Sequence, residues 1–289
     1  PKEWLLVEAK VCPELVEAIS FFMHEMCSHG VTLEEEAEAV HIKAHFEPDS
    51  SDHVKHELNK YIDELSKIFP EYPKPELTIS TMLSENWAVA WKDNFKVMKV
   101  GSRIMISPPW LEPDPGQRRL IIIEPAEAFG TGSHETTQGC LELLEEVIDE
   151  QKSKGLSTEL LDVGCGSGIL AIAAEKLGAD AVTAIDNDPV AVESALENAE
   201  LNMVKDRISF QCSGLQDCAE KYAVVVANLD AMTLSSNVDK LKEIFTDKLV
   251  VSGITVDQWE SIKELLQSHS MKLDKELTKK EWVSGVFSH

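Results

Sequence analysis

A glycine-rich turn between a predicted strand and a predicted helix is the part of the chain best suited to chemistry. The apolar run Leu160–Val163 leads into residues 164–168, where glycine stands at every second position, and apolar residues then recur at helical spacing. Glycine lets the backbone turn sharply and lets a ligand approach without a Cβ in the way. The next predicted strand ends in Asp186, at the spacing where a carboxylate accepts hydrogen bonds from both hydroxyls of an adenosine ribose. Gly164, Gly166 and Asp186 are therefore candidate residues for binding an adenosine-type cofactor.

The details of the turn indicate which cofactor it suits. Ile169 stands where the dinucleotide-binding fingerprint has its third glycine, and no Lys-Ser or Lys-Thr pair follows as in a triphosphate-binding loop. Alternating glycines with an acidic residue downstream are instead typical of class I methyltransferases, which bind S-adenosylmethionine. A glycine turn that serves only packing is the competing interpretation, and the spacing of Asp186 argues against it. Asp188 precedes Pro189 at a helix start, so we expect Asp188 to cap that helix.

Two further segments carry polar residues next to predicted strand and helix ends. Residues 124–137 hold two glycines, three threonines and His134 just before a run with helical spacing. Thr136 or Thr137 can simply cap that helix, and His134 is a candidate general base, although a lone histidine more often has a structural hydrogen-bonding role. Asn228 ends a predicted strand, and ligands of doubly wound sheets bind at the carboxyl ends of strands. Each of these residues is by itself only a weak candidate.

The elements that must hold these residues alternate between strand and helix from about Leu120 onward. This alternation predicts a doubly wound parallel sheet. Its strands are predicted at residues 160–163, 181–186, 208–212, 223–228 and 248–253. Two final strands, 271–277 and 282–287, are joined by a short polar link and should close the sheet as an antiparallel hairpin. Residues 100–289 are therefore predicted to form an α/β domain.

The first 85 residues form a separate predicted module. Apolar spacing indicates strands and a pair of helices, and their order β-α-β-β-α-β suggests a small ferredoxin-like α+β domain over residues 1–85. Between the modules, Trp87, Trp91 and Phe95 are spaced as on one face of a helix, so residues 86–99 are predicted to be a helical linker. The aromatic stripe is interpreted as a packing face rather than a ligand site.

The charge of the chain excludes some classes of partner. The 289 residues include 27 Lys and Arg against 51 Asp and Glu, which gives a net charge of −24 and a pI near 4.7. Such a surface repels phosphate backbones, so we expect no direct binding of nucleic acid or of anionic membranes. Residues 1–85 carry 7 Lys and Arg and 18 Asp and Glu, so this module is about twice as acidic per residue as the rest. It is the better candidate for docking a basic partner, although solubility alone would also explain the acidity.

The cysteines and the apolar segments of the sequence allow predictions about metal sites and about the cellular compartment. The six cysteines form no CxxC pair, which argues against a zinc site or a dithiol redox motif, so no metal is expected. They are too sparse for a disulfide scaffold, so reduced thiols and a cytoplasmic location are expected. No signal peptide is evident at the start of the sequence, and no apolar run approaches the length of a membrane span.

Taken together, the motifs resemble those of one family. The runs AFGTGSHETT at 128–137, DVGCGSGILAIA at 162–173 and ANL at 227–229 are similar to those of the PrmA family, the methyltransferases of large-subunit ribosomal protein eleven. The runs WKDNF at 91–95 and KEW at 280–282 also resemble the family pattern. In motif terms the resemblance spans about residues 86–289, and it covers the first 85 residues only by size and element order.

The resemblance implies a class I, S-adenosylmethionine-dependent protein N-methyltransferase. The family's cofactor contacts fall on Thr137, Gly164, Gly166, Asp186 and Asn228. Thr137 would help hold the methionine part, Asp186 would hold the ribose, and Asn228 would lie beside the methyl group. The implied acceptors are lysine side-chain and N-terminal α-amines of a basic ribosomal protein. No Pro-Pro-Tyr, the sequence that accompanies methylation of planar nitrogens, follows Asn228, which fits a basic amine, and no residue is assigned as the catalytic base.

Two other functions stay open. The chain can be a class I methyltransferase of another protein's lysine or of a small molecule, and the separate acidic module favours a macromolecular substrate over a small one. It can also be a non-catalytic assembly factor that binds the ribosomal protein. The intact set of Gly164, Gly166 and Asp186 argues against such a loss of chemistry.

Overall fold

The computed structural model describes residues 3–26, 31–36, 39–46, 51–70, 72–83, 95–124 and 134–289. The chain forms two compact units, residues 1–94 and 95–289. The second unit therefore begins a few residues before position 100, where the sequence placed the start of the larger domain.

The first unit contains four strands and two helices. In chain order these are β1 (Glu3–Val11), α1 (Val16–Met26), β2 (Val31–Glu36), β3 (Ala39–Phe46), α2 (Ser51–Ile68) and β4 (Glu76–Leu83). The strands pair antiparallel in the order β2-β3-β1-β4. This order of elements agrees with the β-α-β-β-α-β arrangement predicted from apolar spacing.

Alternation along the strands explains why one face of this sheet is covered. Every second residue of β1 and β3 is buried, and the antiparallel register places Val7 opposite Ala44, so the buried side chains share a face. Both helices bury apolar residues such as Leu58 against that face. Between the helices, Phe22 stacks on Tyr61 with ring centroids 4.0 Å apart. The opposite face of the sheet carries the polar residues that alternate with these buried residues along the strands.

The second unit contains a small sheet followed by a large one. Its first strands are β5 (Met98–Val100), β6 (Ile104–Ser107) and β7 (Arg119–Ile122). Then follow α3 (Glu135–Ser153), β8 (Leu160–Val163), α4 (Ile169–Leu177), β9 (Val182–Asp186), α5 (Pro189–Leu201), β10 (Ile208–Cys212) and β11 (Tyr222–Asn228). The last elements are α6 (Ala231–Ser236), α7 (Val238–Ile244), β12 (Phe245–Thr255), α8 (Val256–Ser268), β13 (Lys272–Lys279) and β14 (Trp282–Ser288).

The large sheet has the strand order β10-β9-β8-β11-β12-β14-β13. The first five strands in this order are parallel, and β14 and β13 add as an antiparallel hairpin. Every residue of β8 is buried, as is every residue of β11 before Asn228, because helices cover both faces. The predicted doubly wound sheet with an antiparallel closing hairpin is therefore confirmed.

Two apolar cores lie on the two faces of this sheet. Val224 and Val226 belong to one core with residues of α3, α4 and α5, whereas Val225 and Ala227 belong to the other with residues of α6, α7 and α8. The parallel strands all end at one edge, so the loops that follow them gather there. No helix in the described ranges is both long and apolar enough to cross a membrane.

The predicted helical linker is wrong over its last residues. Residues 84–94, with Trp87 and Trp91, lie outside the described residues, but 95–97 have no regular structure and Met98–Val100 forms β5. This strand pairs antiparallel with β6, and Val100 is buried in the core of the second unit. Phe95 packs edge-on against Trp110 with ring centroids 6.0 Å apart. Pairing with a neighbouring apolar strand overrides the local aromatic spacing here.

Candidate cofactor and active site

The turn after β8 has glycine where other residues would be strained. Gly164, Gly166 and Gly168 have φ angles of +68°, +53° and +76°, in the left-handed region that other residues rarely adopt. A Cβ on Gly164 would lie 2.9 Å from Leu229 Cδ2, and a Cβ on Gly168 would lie 2.9 Å from Ala195 Cβ. The turn therefore presents bare backbone at the carboxyl edge of the sheet, as the sequence predicted.

Asp186 ends β9 beside this turn. Its Oδ2 accepts a hydrogen bond from Gly166 N at 2.9 Å, and its Oδ1 accepts one from Asp188 N at 3.0 Å. A carboxylate offers about four lone-pair sites, so each oxygen keeps capacity for a further donor such as a hydroxyl. Asp188 caps α5 by accepting from Val190 N at 2.9 Å, as its position before a proline predicted.

A cavity of about 270 Å³ opens at this edge. Gly164 and Asp186 line it together with four apolar side chains, Val163, Ile185, Leu215 and Leu229. Polar residues and a glycine that the sequence did not single out complete the wall: Asn187, Ser213, Gly214, Gln216, Thr233 and Asn237. The signal for Ser213 and Gly214 was their place directly after β10, at the same carboxyl edge. Apolar walls next to a carboxylate suit a ligand that carries both an aromatic base and hydroxyl groups.

Thr137 and Asn228 meet where β11 ends. Asn228 Nδ2 donates to Thr137 Oγ1 at 3.5 Å, and Thr137 lies buried in the first turn of α3. Since β8 lies between β9 and β11, Asp186 and Asn228 flank the glycine turn. The five residues predicted to contact the cofactor are thus gathered at one edge of one sheet.

The N-terminal end of α3 is capped by His134. His134 Nδ1 accepts from Thr136 N at 3.3 Å and lies 2.8 Å from Thr136 Oγ1, while the imidazole packs edge-on against Trp282 with centroids 5.0 Å apart. The suggestion that Thr136 or Thr137 caps this helix is wrong, because a histidine nitrogen takes the acceptor role. His134 therefore has a structural position, and the Thr137 hydroxyl is left to Asn228.

Known proteins of one family match this chain over almost its whole length. The family model described as ribosomal protein L11 methyltransferase (PrmA) matches residues 3–289. The chain belongs to the PrmA family. Ribosomal protein L11 methyltransferase from Pelobacter propionicus is 34% identical over 300 residues, covering 98% of this chain and 97% of that protein. The one from Caldanaerobacter subterraneus subsp. tengcongensis is 33% identical, with coverage of 98% and 97%.

A solved structure gives the same result for the fold. The ribosomal protein L11 methylase from Lactobacillus delbrueckii subsp. bulgaricus is 31% identical, with a TM-score of 0.61, and the match covers 68% of this chain and 99% of that chain. This PrmA-family chain is therefore a methyltransferase, and its large sheet is the class I methyltransferase sheet that the sequence predicted.

Two buried asparagines, Asn198 of α5 and Asn202 directly after its last residue, were not among the residues predicted for the site. Asn198 Nδ2 donates to Ser167 O at 2.9 Å, and Asn198 Oδ1 accepts from Glu124 N at 2.9 Å. One turn later, Asn202 Oδ1 accepts from Ile122 N at 2.9 Å. The two side chains tie the glycine turn of this PrmA-family chain to the end of β7. Their signal in the sequence was a pair of amides four residues apart on an otherwise apolar helix face. The rest of the second motif, residues 125–133, lies outside the described residues.

Burial keeps the acidic and thiol groups under the turn away from direct chemistry. Asp162, in the middle of β8, has no exposed surface; its Oδ2 accepts from Ala171 N at 3.0 Å, and burial raises its pKa to about 7. Burial also raises the thiol pKa of Cys140 and Cys165 far above neutrality, so neither is a thiolate nucleophile. Within the described ranges, no three His, Cys, Asp or Glu residues are grouped so as to hold a metal ion.

Proposed function

We propose that this chain transfers methyl groups from S-adenosylmethionine to lysine side-chain and N-terminal α-amines of ribosomal protein L11. The observation that carries the proposal is the meeting of the glycine turn, Asp186 and the Asn228–Thr137 pair at one edge of the class I sheet. The names of the curated relatives that match nearly the whole chain support the choice of substrate.

The residues of the cavity fit an adenosine group. Asp186 would accept from both ribose hydroxyls with the lone pairs that Gly166 N and Asp188 N leave unused. Leu215 and Leu229 would pack on the base, and the absence of a side chain on Gly164 would admit the methionine part. Gly164, Gly166 and Asp186 of the predicted cofactor set would thus each have a task in holding the cofactor.

The incoming amine needs orientation more than activation by the chain. When bound, S-adenosylmethionine supplies a methyl group already activated by its sulfonium. Because Asn228 Nδ2 donates to Thr137, the side-chain oxygen of Asn228, Oδ1, would accept an N–H of the amine. At pH 7, removing the proton from the amine costs about 1 kcal/mol for an α-amine and about 5 kcal/mol for lysine. We assign no side chain as the base and propose that water takes the proton.

The first unit is proposed to recognise the substrate protein. Residues 1–85 carry 18 acidic against 7 basic residues, which fits docking of a basic ribosomal protein. The net charge of −24 would keep the enzyme from binding RNA directly. The enzyme would then act in the cytoplasm on ribosomal protein that is not yet shielded by RNA.

Transfer of a labelled methyl group to L11 tests the proposed function. The full chain is incubated with methyl-labelled S-adenosylmethionine and purified ribosomal protein L11, and labelled residues are mapped by mass spectrometry. We expect label on lysine side chains and on the N-terminal amine. A second basic ribosomal protein of similar size is the control, and equal labelling of both proteins, or no labelling of L11, would contradict the proposed substrate.

A further inference from the structure

A buried hydroxyl cluster lies under the N-terminal end of α3, and neither cofactor binding nor the helix cap uses it. Ser252 of β12 and Ser284 of β14 are 0% and 3% exposed, in the middle of an otherwise apolar core. Ser252 Oγ donates to the backbone oxygen of Thr136 at 3.1 Å and lies 2.7 Å from Ser284 Oγ. Buried hydroxyls are costly unless they are hydrogen-bonded, and these two satisfy each other.

The direction of these hydrogen bonds follows from the number of protons. A serine hydroxyl has one proton, and Ser252 uses it on the carbonyl oxygen of Thr136, which can only accept. Ser284 must therefore be the donor in the bond between the two serines. The result is a chain of bonds from Ser284 to Ser252 to the first turn of α3. Such chained bonds strengthen each other in a low-dielectric interior.

Helix α3 comes unusually close to β14 at this point. A Cβ on Gly139 would lie 2.2 Å from Ser284 Oγ, so a larger residue here would displace the Ser284 hydroxyl from its present position. Gly139 follows Thr136 by one helical turn. The serine pair and the glycine thus fix the height of the first turn of α3 above the sheet.

The cluster is connected to the candidate active site through two paths. In the parallel register of β11 and β12, Ser252 pairs with Asn228, and Leu229 N donates to Ser252 O at 3.1 Å. On the helix side, Thr136 is followed by Thr137, whose hydroxyl accepts from Asn228. The bonds therefore close a ring that runs from Asn228 through Ser252 to α3 and back to Asn228.

We propose that Ser252, held by Ser284, is a positioning residue for methyl transfer. Its hydroxyl sets the place of Thr137 relative to Asn228, and therefore the angle at which Asn228 holds the incoming amine. This inference rests on the proposed function, because that function gives Thr137 and Asn228 their places beside the cofactor. Misplacement of reacting groups by about 1 Å can lower a rate about 100-fold. Loss of the hydrogen bond from Ser252 to the backbone oxygen of Thr136 should therefore have a measurable effect on kcat.

The test is a double-mutant cycle with Ser252→Ala and Thr137→Val, measured as kcat and as KM for S-adenosylmethionine with L11 as acceptor. We expect Ser252→Ala to lower kcat about tenfold and to change KM less than about threefold, because the residue proposed to hold the ribose, Asp186, lies at the end of a different strand. In the Thr137→Val background, Ser252→Ala should cause little further loss of kcat, because the group that it positions is gone. Equal factors of loss in both backgrounds would overturn the proposal.

Two more variants separate a positioning role of Ser252 from a general effect on packing. Ser284→Ala reaches the same chain of bonds from its other end, and we expect a smaller loss of kcat, about threefold, that also disappears with Thr137→Val. Ser107→Ala is the matched control, because Ser107 is buried in β6 and its Oγ lies within hydrogen-bond distance of the nearby backbone oxygens of Pro108 and Leu111. A kcat loss in Ser107→Ala as large as in Ser252→Ala would mean a general packing effect and would overturn the proposal.

The cycle also separates this proposal from the proposed function. If Thr137→Val alone changes neither kcat nor KM, the assignment of Thr137 to the cofactor site is wrong. The positioning role of Ser252 is then wrong as well. If Thr137→Val lowers kcat while Ser252→Ala and Ser284→Ala leave it unchanged, the proposed function stands and only the positioning role is wrong.

Discussion

The two units of the chain differ in how their polar side chains are held. In the second unit, single atoms are fixed by specific hydrogen bonds, as with Asp186 Oδ2, which accepts from Gly166 N. In the first unit, the sheet face left by the helices carries charges of both signs, with Glu8 opposite Lys43 and His41 Nδ1 2.7 Å from Glu8 Oε1. Pairs that are partly open to solvent, as these are, contribute little one by one. This difference is the basis of two proposals: that cofactor binding depends on individual atoms, and that substrate docking depends on the summed charge of many side chains.

Removing the first unit should have the largest effect. We expect a fragment of residues 95–289 to bind S-adenosylmethionine with a Kd within about threefold of the full chain, because all candidate contacts lie in the second unit. Its kcat/KM on L11 should fall at least about 100-fold, a loss of about 2.7 kcal/mol of docking energy. Calorimetry and methylation assays measure the two quantities. A fragment that methylates L11 as fast as the full chain would show that the first unit has no docking role.

Replacing Asp186 by alanine should weaken cofactor binding more than tenfold. The expected cause is the loss of two hydrogen bonds to a charged acceptor, each contributing about 1.5–3 kcal/mol. Calorimetric titration gives the two Kd values. Asp188→Ala is the matched control: it removes a helix cap and about 1 kcal/mol of stability but should leave the Kd nearly unchanged. Equal affinity of wild type and Asp186→Ala, or a preference for NAD, would contradict the cofactor assignment.

Reversing acidic residues in each unit should separate docking from bulk charge. We expect Glu→Lys changes at Glu34, Glu35, Glu36 and Glu38 to lower kcat/KM on L11 several-fold more than the same changes at four exposed residues of the second unit, Glu112, Glu159, Glu197 and Glu264. Each set makes four reversals, so bulk charge predicts equal losses. The acidic residues of α3 are unsuitable controls, because Glu142 and Glu146 pair with Lys279 and Lys275. Equal losses would leave the first unit without a special electrostatic role.

The buried carboxyl of Asp162 should make stability depend on pH. Its folded-state pKa is raised from 3.8 to about 7, so between about pH 4 and pH 7 the folded state holds a proton that the unfolded state has lost. Stability therefore falls as pH rises through this window, by at most about 4 kcal/mol. Asp162→Asn keeps an acceptor for Ala171 N and should flatten the profile. Urea unfolding at pH 5 and pH 8 measures the difference, and parallel profiles for wild type and variant would show that Asp162 does not titrate in this range.

The candidate cofactor edge was predictable from the sequence because few residue types fit its backbone. A left-handed φ at Gly164 favours glycine, and the next strand ends in a carboxylate. Both features can be recognised from the order of residues along the chain, without knowledge of tertiary contacts. The buried strands β8 and β11 were equally clear, since both faces are covered and their apolar runs are continuous.

The supporting bonds were not predictable, because they join residues far apart in the chain. Ser252 and Thr136 are separated by 116 positions, and nothing in the local sequence around either one indicates the other. Likewise, β5 depends on its partner β6, which outweighs the aromatic spacing that suggested a helix. His134 illustrates a third cause: an imidazole nitrogen took the cap position for which threonine is the more usual residue.

The most direct test of the division between the two units is the salt dependence of both binding steps in the same protein. Raising ionic strength from about 0.01 M to about 0.15 M shortens the Debye length from about 30 Å to about 8 Å. With a net charge of −24 and a basic substrate, we expect kcat/KM on L11 to fall about tenfold, while the Kd for S-adenosylmethionine stays within about twofold. A kcat/KM that stays flat with salt would contradict the account, because the acidity of the chain would then serve solubility alone.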